Sequence, residues 1–376
     1  MSFIRSSKGT VTIDLSALAA NFTVLDSIMG RGQEGLMPVI KSDAYGHCME
    51  WVARELKDRA IWGFGIYEGS EGRFLRQMGI KKRIFLLSGL LADSPETAIE
   101  AGLTVGVVKR EELSALDNVA GNAGVAVTVH LKVDTGMGRF GMEPAEVIEL
   151  CRTRSRWRNL VFEGLYTHMP VADVPDDPFN SRQILEFKAV LAAVRDAGWQ
   201  PEFVHMANSA ALVNFPSARF NLSRPGIALY GACCRDLPGV ADRLRPVMGF
   251  VSRLAQVRRF RPGSGFSYGR NFTCSRESLI AVVPVGYDNG YPRALSGRAE
   301  VLVNGKRCPV VGNICMRALL VDVTDVPGVA AGHKAVFLGS SGQEVIYVEE
   351  LAEKAGTISY ELLCLLGKLN RRIIVK

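Results

Sequence analysis

A lysine at the end of a short apolar run is the first residue in this chain with a setting for covalent chemistry. The run Leu36–Ile40 predicts a buried strand, and Lys41 follows it directly, before a Ser-Asp-Ala-Tyr-Gly turn. A lysine at the carboxyl end of a parallel strand is partly desolvated, which lowers its pKa and frees the amine to form a Schiff base with an aldehyde. The alternative is a lysine that snorkels from a strand end, and this stretch alone favours that alternative.

Two predicted loops further along the chain carry groups that bind phosphate. Ala207-Asn208-Ser209 offers a hydroxyl and backbone amides at a helix start, and Arg224-Pro225-Gly226-Ile227 contains a glycine that lets N–H groups approach an anion. Either loop alone is an ordinary strand-to-helix turn. Because they follow the seventh and eighth strands of a predicted barrel, where phosphate sites often form, together they predict a phosphate site.

Two more strand ends add polar side chains to the same rim. The fifth predicted strand continues into Lys132–Gly141, where glycines on either side of a methionine let Arg139 turn inward to bind a carboxylate. The sixth ends at His168. A single histidine is more often structural than catalytic, but one at the carboxyl end of a barrel strand is a stronger candidate than most.

The elements that position these residues alternate between strand and helix. This order predicts an α/β fold, a (β/α)₈ barrel of the TIM type, over residues 15–240. The strand candidates are Met37–Ile40, Ile61–Ile66, Arg83–Ser88, Leu103–Val108, Val125–Val133, Val161–His168, Phe203–Met206 and Arg219–Ser223. The helix candidates are Leu15–Met29, Cys48–Leu56, Glu68–Met78, Arg110–Val119, Pro144–Arg152 and Ser181–Ala197.

The chain changes character after the barrel. Long apolar runs separated by hairpin turns predict a mostly β C-terminal domain over residues 241–376, with Asn304-Gly305 as a two-residue hairpin turn. Residues 1–14 are predicted to hold an N-terminal strand that pairs with this domain. The candidates in the second domain are strands at Ser278–Tyr287, Glu300–Val303, Arg307–Val311, Ala335–Leu338, Glu344–Tyr347 and Arg372–Lys376, and helices at Val348–Ala355 and Tyr360–Leu366.

Composition excludes several classes of protein. The 376 residues include neither a signal peptide nor an apolar stretch of about 18 residues, which predicts a cytoplasmic protein with no membrane contact. The eight cysteines lack metal-ligand spacing, so reduced thiols, the adjacent Cys233 and Cys234 included, and no metal are expected. The net charge is +7, but the basic clusters at Arg152–Arg158 and at Arg371, Arg372 and Lys376 lack aromatic arrays. We interpret them as solvated faces and expect no nucleic-acid partner.

A strand-end lysine, a phosphate site and an arginine clamp together suggest pyridoxal phosphate acting on an amino acid. The chain also resembles the alanine racemase family along nearly its whole length. The matching stretches, in chain order, are VIKSDAYGH, LKVDTGMGRFG, YTHM, HMANSAAL, SRPGIALYG, GFSYGR, VGYDNGYPRALS, ICM and ISYELLC. Any one of them would be a weak signal, but so many in order are specific.

The resemblance implies a pyridoxal-phosphate barrel with a β domain, working as a head-to-tail homodimer that interconverts L- and D-alanine and supplies D-alanine for peptidoglycan. Lys41 matches the Schiff-base lysine, and Tyr268 matches a second base donated across the dimer. His168 matches the hydrogen-bonding partner of that tyrosine. Arg139 matches the residue that touches the substrate carboxylate, with Lys132 behind it as a lysine that is often carbamylated in this family.

By the same resemblance, Arg224 faces the pyridine nitrogen of the cofactor. Because arginine does not readily lose its proton, it leaves that nitrogen unprotonated and weakens the electron sink, which favours proton exchange over transamination. The remaining matches are the cofactor ligands Tyr45, Asn208, Ser209, Gly226, Ile227 and Tyr360, the substrate contact Met316, and the entrance residues Tyr287, Arg293 and Ile358.

One stretch departs from the family pattern. Where the family typically has Gly-Arg-x-Cys-Met-Asp-Gln, this chain has Gly312-Asn313-Ile314-Cys315-Met316-Arg317-Ala318. An arginine is lost, and an acid is replaced by Arg317 beside the expected entrance. We expect Arg317 either to pair with a nearby acid, or to widen tolerance toward anionic amino acids or reduce turnover of alanine. The first outcome is favoured, and alanine is expected to remain the best substrate.

Three other functions remain open from the sequence. Another barrel-type pyridoxal-phosphate enzyme, such as an amino-acid decarboxylase, would lack a tyrosine base in a Gly-Phe-Ser-Tyr-Gly context. A serine or broad-specificity racemase is a closer alternative. A non-catalytic pyridoxal-phosphate-binding protein would be a barrel without a β domain, and the long segment after the barrel counts against it.

Overall fold

The computed structural model describes residues 9–30, 35–232, 239–240 and 242–375. The chain enters through strand β1 (Thr10–Asp14) and helix α1 (Leu15–Met29). Asp14 caps this helix, because its carboxylate accepts a hydrogen bond from the backbone N–H of Ala17 at 2.8 Å. The segment 1–8, Cys233, Cys234 and Lys376, which carry parts of the predictions above, lie outside the described residues.

Six parallel strands form the regular part of the barrel. They pair in chain order as β2 (Gly63–Ile66), β3 (Arg83–Leu86), β4 (Thr104–Val107), β5 (Val127–Lys132), β6 (Leu160–Tyr166) and β7 (Phe203–His205). Strands β2 and β4 are buried at every position, as expected for parallel strands that are covered on both faces. The predicted α/β barrel is confirmed.

The predicted first and eighth strands need a correction. Met37–Ile40 and Arg219–Ser223 close the ring through isolated parallel bridges, and neither is a regular strand. Pro38 has no N–H to donate to a ladder, and the N–H of Val204 is taken by the Asn221 side chain at 2.7 Å. Isolated backbone hydrogen bonds, such as that from Met37 N to the Ser223 carbonyl at 2.8 Å, keep the ring closed.

Helical segments cover the barrel between its strands. All six helices predicted for this region are confirmed, with ends that shift by a few residues. The longest begins earlier than predicted, at Pro178, because the Asp177 carboxylate caps it. The segments are α2 (Lys41–Tyr45), α3 (Met49–Leu56), α4 (Gly69–Gln77), α5 (Pro95–Glu100), α6 (Arg110–Ala123), α7 (Pro144–Thr153), α8 (Pro178–Asp196) and α9 (Ser209–Asn214).

The second domain is mostly β, as predicted. Its strands are β8 (Met248–Arg253), β9 (Gln256–Phe260), β10 (Gly265–Phe266), β11 (Phe272–Thr273), β12 (Ser278–Val283), β13 (Glu300–Val303), β14 (Lys306–Val311), β15 (Leu319–Asp322), β16 (Lys334–Ser341), β17 (Glu344–Ile346) and β18 (Arg371–Val375). Its helices are α10 (Val348–Ala355) and α11 (Ser359–Leu369). The main sheet runs β18-β1-β8-β16-β13-β14-β15-β12-β9, so β1 pairs with this domain.

Two local predictions in this domain have different outcomes. The Asn304-Gly305 hairpin between β13 and β14 is confirmed, and both of its residues have the positive φ that such a turn requires. The strand predicted over Ser278–Tyr287 is too long. It ends at Val283, because Pro284 cannot continue the ladder and a short 3₁₀ turn follows at Tyr287–Asn289.

The two domains share one apolar core. Buried side chains of a single cluster extend from Val11 through the barrel to Leu366 in α11. The predicted boundary near residue 240 stays a prediction, because residues 233–238 and 241 lie outside the described part of the chain. None of the described helices is both long and apolar enough to cross a membrane.

Candidate active site

A cavity of about 730 Å³ opens at the carboxyl ends of the barrel strands. Side chains from both domains line it. The predicted site residues around it are Lys41, Tyr45, Lys132, Arg139, His168, Asn208, Ser209, Arg224, Gly226, Ile227, Ile358 and Tyr360. Four predicted residues, Tyr268, Tyr287, Arg293 and Met316, do not line it. The single chain therefore brings together the expected cofactor residues but not the expected second base.

Lys41 lies at the rim of the barrel and lines the cavity. It is half-buried, and its Nζ is 5.4 Å from the centre of the Tyr67 ring. Burial lowers the pKa of Lys41, the Arg139 guanidinium lowers it further, and the Glu71 carboxylate opposes both effects. A lower pKa increases the fraction of neutral, nucleophilic amine.

The residues after Lys41 form a left-handed turn. Ser42, Asp43, Ala44 and Tyr45 all have φ of 54–55°. None of them is glycine, and left-handed helical geometry costs an L-residue roughly 1–2 kcal/mol. The sequence predicts a turn here but not that it is left-handed. At the end of the turn, the Tyr45 side chain is directed inward and is only 8% exposed.

Side-chain hydrogen bonds hold this turn in place. The Glu71 carboxylate accepts from the N–H of Ser42 at 2.7 Å, and the Asp43 carboxylate accepts from the N–H of Met49 at 2.7 Å. His47 is fully buried, and its Nδ1 lies 2.9 Å from the carbonyl oxygen of Ala44. Burial lowers the pKa of His47 to about 4, so the ring is neutral and donates to that carbonyl.

The predicted phosphate loops meet at one point. The backbone N–H groups of Gly226 and Ala228 both donate to the hydroxyl oxygen of Ser209, at 2.9 and 3.2 Å. A Cβ at residue 226 would lie under 3.0 Å from the Tyr45 hydroxyl, so a side chain at this position would displace that hydroxyl. Asn208 caps the helix that begins at Ser209, because its side chain accepts from the N–H of residue 211 at 3.0 Å.

Arg224 is a deeply buried cationic side chain of the site. It is 4% exposed, and its guanidinium donates to the Thr167 carbonyl and to His205 Nδ1, each at 2.7 Å. Burial lowers the pKa of Arg224 to about 10, so the group keeps its proton at neutral pH. His168 Nδ1 lies 3.4 Å from the same guanidinium. Burial and then the Arg224 charge hold the pKa of His168 well below its usual range.

A glycine-rich loop carries Arg139 and follows Lys132. The Asp134 carboxylate accepts from three backbone N–H groups, those of residues 136, 137 and 138, at 2.8–2.9 Å. Burial, then the charges of Arg224 and Arg139, lower the pKa of Lys132 to about 7. About half of the Lys132 amine is therefore neutral at that pH. Arg139 is exposed at the cavity wall.

Tyr268 lies on the second domain, outside the cavity of its own chain. It follows β10 in a short hairpin, and its side chain is 75% exposed. The Asn313 side chain donates to the Tyr268 carbonyl at 2.7 Å, and the Ser267 hydroxyl donates to the Asn313 carbonyl at 2.6 Å. The asparagine that departs from the family pattern thus holds the turn that carries Tyr268.

Several lining residues were not identified from the sequence. They are aromatic or apolar groups and one acid: Val39, Tyr67, Leu87, Met137, Phe140, Tyr166, Met169, Pro170, Asp173 and Ala210. Several of them end or follow a barrel strand, so the strand-end rule applied to all side chains, not only polar ones, would have found Tyr67 and Tyr166.

The matches to known proteins cover both domains. Residues 13–233 match the family model described as alanine racemase, N-terminal domain, and residues 247–374 match the model for the alanine racemase C-terminal domain. The chain is 39% identical over 370 residues to the alanine racemase of Citrifermentans bemidjiense, covering 96% of this chain and 97% of that protein. The chain belongs to the alanine racemase family.

Solved structures of alanine racemases agree with this assignment. The enzyme from the D-cycloserine-producing Streptomyces lavendulae superposes with a TM-score of 0.92 at 33% identity, over 99% of this chain and 98% of that one. The alanine racemase from Bartonella henselae with covalently bound pyridoxal phosphate gives 0.87 at 25% identity, over 98% and 99%.

Within this alanine racemase fold, Arg317, which departs from the family pattern, forms an ion pair with a nearby acid. Arg317 Nε lies 2.8 Å from a carboxylate oxygen of Asp288. The expectation that Arg317 pairs with a nearby acid is confirmed. Since the two side chains are 69% and 44% exposed in the single chain, the pair contributes little to stability, about 0.2–1 kcal/mol at most.

Proposed function

We propose that this chain interconverts L- and D-alanine with pyridoxal phosphate and so supplies D-alanine for peptidoglycan. One observation carries the proposal. Lys41, a buried arginine and a cradle of backbone amides converge on one cavity in a chain whose two domains both match alanine racemases. A non-catalytic barrel would need neither the second domain nor an exposed tyrosine on it.

The cavity fits pyridoxal phosphate. Two amides, of Gly226 and Ala228, converge on the Ser209 hydroxyl, and an anion's oxygen is suited to the same donors. The Tyr45 hydroxyl lies beside Gly226, where a Cβ would approach it to under 3.0 Å. These groups would hold the phosphate, with Asn208, Ile227 and Tyr360 beside them. Lys41 would hold the aldehyde carbon, and Arg224 would donate to the pyridine nitrogen.

Racemisation needs one proton at Cα to be removed from one face and returned to the other. When bound, the cofactor withdraws electrons from Cα and acidifies this proton. Lys41, with its lowered pKa, accepts or returns the proton on one face. Tyr268 serves the opposite face. The lowered pKa of His168 keeps this ring neutral, and its Nδ1 faces the Arg224 guanidinium, which can only donate, so Nε2 carries the proton and donates a hydrogen bond to the Tyr268 hydroxyl oxygen.

The cationic groups of the cavity orient the amino acid. Arg139 binds its carboxylate. Arg224 keeps its proton, so it donates to the pyridine nitrogen without protonating it, and this limits transamination. Because the pKa of Lys132 is lowered to about 7, much of its amine is neutral near that pH, and a neutral amine is the form that reacts with carbon dioxide to become carbamylated.

We propose that the active enzyme is a head-to-tail homodimer. Tyr268, Tyr287 and Met316 are exposed on the second domain, and Ile358 is exposed at the cavity. Large apolar side chains exposed together favour an interface. A second copy would cover them and bring one protomer's Tyr268 to the Lys41 of the other, with Tyr287, Arg293 and Ile358 around the entrance.

Mixed dimers test this arrangement. Heterodimers of Lys41→Ala and Tyr268→Phe chains each contain one site with both native residues. Random mixing should therefore restore about one quarter of wild-type activity, since half of the dimers are mixed. The measurement is alanine racemisation before and after dissociation and reassociation, with each variant alone as the control. Verified heterodimers that stay inactive would place both bases on one chain.

Solvent exchange at Cα tests the function itself. In deuterium oxide, L-alanine should yield D-alanine that carries deuterium at Cα. Chiral chromatography and mass spectrometry measure the configuration and the deuterium content of the product. The panel includes serine, glutamate and aspartate. Faster turnover of serine would indicate a broader racemase, release of an amine would indicate a decarboxylase, and cofactor binding without exchange would indicate a non-catalytic protein.

Reversal of the charge at position 317 should have a modest effect. Arg317 already pairs with Asp288 and lies outside this chain's cavity. Arg317→Asp should change kcat/KM for alanine by less than about tenfold, equivalent to under 1.4 kcal/mol. Arg317→Gln, which removes the charge without adding a like charge beside Asp288, is the control. A larger change in Arg317→Asp, or a wild-type preference for serine, glutamate or aspartate over alanine, would contradict this prediction.

We further propose that the enzyme works in the cytoplasm. The six cysteines among the described residues are all free, and three of them, Cys48, Cys315 and Cys364, are only partly buried. Free thiols at such positions suit a reducing compartment.

A further inference from the structure

The second domain touches the left-handed turn directly. A Cβ on Gly367 of α11 would lie under 3.0 Å from the carbonyl oxygen of Gly46, and a Cβ on Gly46 would lie under 3.0 Å from the carbonyl oxygen of Leu363. Real Cβ atoms do not approach so closely, so two backbones pack here with no side chain between them. Such a contact is stiff, because backbone atoms cannot rotate away.

Arg372 adds a polar contact to the same turn. Its guanidinium forms an ion pair with the Asp43 carboxylate and donates to the Gly46 carbonyl at 3.3 Å. The side chain is 24% exposed, so our interpretation of the C-terminal basic cluster as a solvated face is wrong for this residue. The chain brings it there because β18 runs parallel to β1, with Arg372 opposite Val11.

Helix α11 reaches the cavity with its other end. The Tyr360 ring centre is 5.9 Å from that of Tyr45, which is 5.1 Å from that of Tyr230. One helix therefore contacts the turn at Gly367 and the turn's last side chain at Tyr360. The turn bears Lys41 at its start and Tyr45 at its end.

We infer that Gly367 and Arg372 are positioning residues, which brace the left-handed turn so that Lys41 and Tyr45 are held where pyridoxal phosphate binds. The second domain then sets the cofactor affinity of the barrel. The four residues Ser42–Tyr45 are strained because none is glycine and all have positive φ, so the turn can relax to other conformations. If these contacts are lost, a smaller fraction of the molecules has the turn conformation that binds the cofactor. The apparent dissociation constant for the cofactor then rises by the same factor. The inference rests on the proposed function only for the identity of the cofactor.

Cofactor titration of the full-length, cofactor-free protein tests the brace. Arg372→Ala should weaken pyridoxal phosphate binding by about tenfold or more, measured by the visible absorbance of the bound cofactor. Arg371→Ala is the matched control, because Arg371 is the exposed neighbour on the same strand, and its affinity should stay close to that of wild type. Arg372→Lys should recover part of the loss. Gly367→Ala should also weaken binding, and if it fails to fold the Arg372 variants decide.

A double-mutant cycle shows whether the ion pair carries the effect. Asp43→Asn keeps a residue that tolerates positive φ, and Arg372→Gln removes the opposite charge. If the two residues act through their contact, the double variant should lose no more affinity than the worse single variant. Losses that add would overturn the part of the inference that rests on the ion pair between Asp43 and Arg372. Hydrogen exchange of the amides at 46–49 in the cofactor-free protein should rise in Arg372→Ala and not in Arg371→Ala.

Separate readouts distinguish a positioning role from general destabilisation. The cofactor-free Arg372→Ala protein should melt within a few degrees of Arg371→Ala while differing from it in cofactor affinity. At saturating cofactor, kcat should return to that of Arg371→Ala, since the bound cofactor selects the conformation in which Lys41 and Tyr45 are in place. Equal affinity in the two variants, or affinity that only follows melting temperature, would overturn the brace. A wild type that binds cofactor but does not racemise alanine would refute the proposed function and leave this inference intact.

Discussion

Replacing Lys41 with alanine should abolish both racemisation and the covalent retention of pyridoxal phosphate. Among the described residues, the lysines that line the cavity are Lys41 and Lys132. Lys41 begins the turn that ends at Tyr45, whose side chain lies beside Gly226. Lys132 ends β5, and its Nζ lies 5.2 Å from the centre of the Phe140 ring. The covalent bond to the cofactor is therefore expected at Lys41.

Borohydride reduction followed by mass spectrometry measures this outcome. Wild type should keep the cofactor's mass on the peptide that contains residue 41, and Lys41→Ala should keep none. Lys132→Ala is the control, because it removes the other cavity lysine and should retain the adduct. A reducible adduct that survives in Lys41→Ala, on any lysine, would contradict this assignment. Non-covalent phosphate binding by Ser209 and Gly226 should persist in the variant.

The barrel and most of the cavity followed from the sequence because their signals are local. Apolar runs, helical spacing and turn residues are each written within a few positions of the chain, and a barrel puts every strand's carboxyl end on one rim. That geometry alone collected Lys41, Lys132, His168 and Ser209 into one place. The family motifs then supplied roles that spacing could not.

What could not be predicted depends on contacts between distant segments. The turn Ser42–Tyr45 is left-handed although it contains no glycine, and its partners include Glu71 and, 329 positions away from Asp43, Arg372. The charge at Arg372 has a partner only after β18 has paired with β1. In the same way, the predicted first and eighth barrel strands are not regular strands. Pro38 has no N–H to donate in the first, and in the eighth the Asn221 side chain accepts the N–H of Val204.

Removing the Tyr268 hydroxyl should leave the cofactor bound and slow racemisation strongly. Tyr268→Phe keeps the ring and the hairpin, and the residue contributes nothing to the cavity of its own chain. Loss of a general base or acid typically lowers the rate by on the order of a hundredfold or more. Cofactor titration, which should be unchanged, is the control for folding and assembly. Full activity in both directions would remove Tyr268 from the mechanism.

Exchange without inversion gives this prediction its sharpest form. With Tyr268→Phe, Lys41 can still remove and return the Cα proton on its own face. In deuterium oxide, one enantiomer of alanine should therefore gain deuterium at Cα with its configuration retained, faster than it racemises, while the other enantiomer exchanges slowly. Wild type should show exchange coupled to inversion for both. If both enantiomers lose exchange equally in the variant, the hydroxyl acts on the site as a whole and the two faces are not served by separate residues.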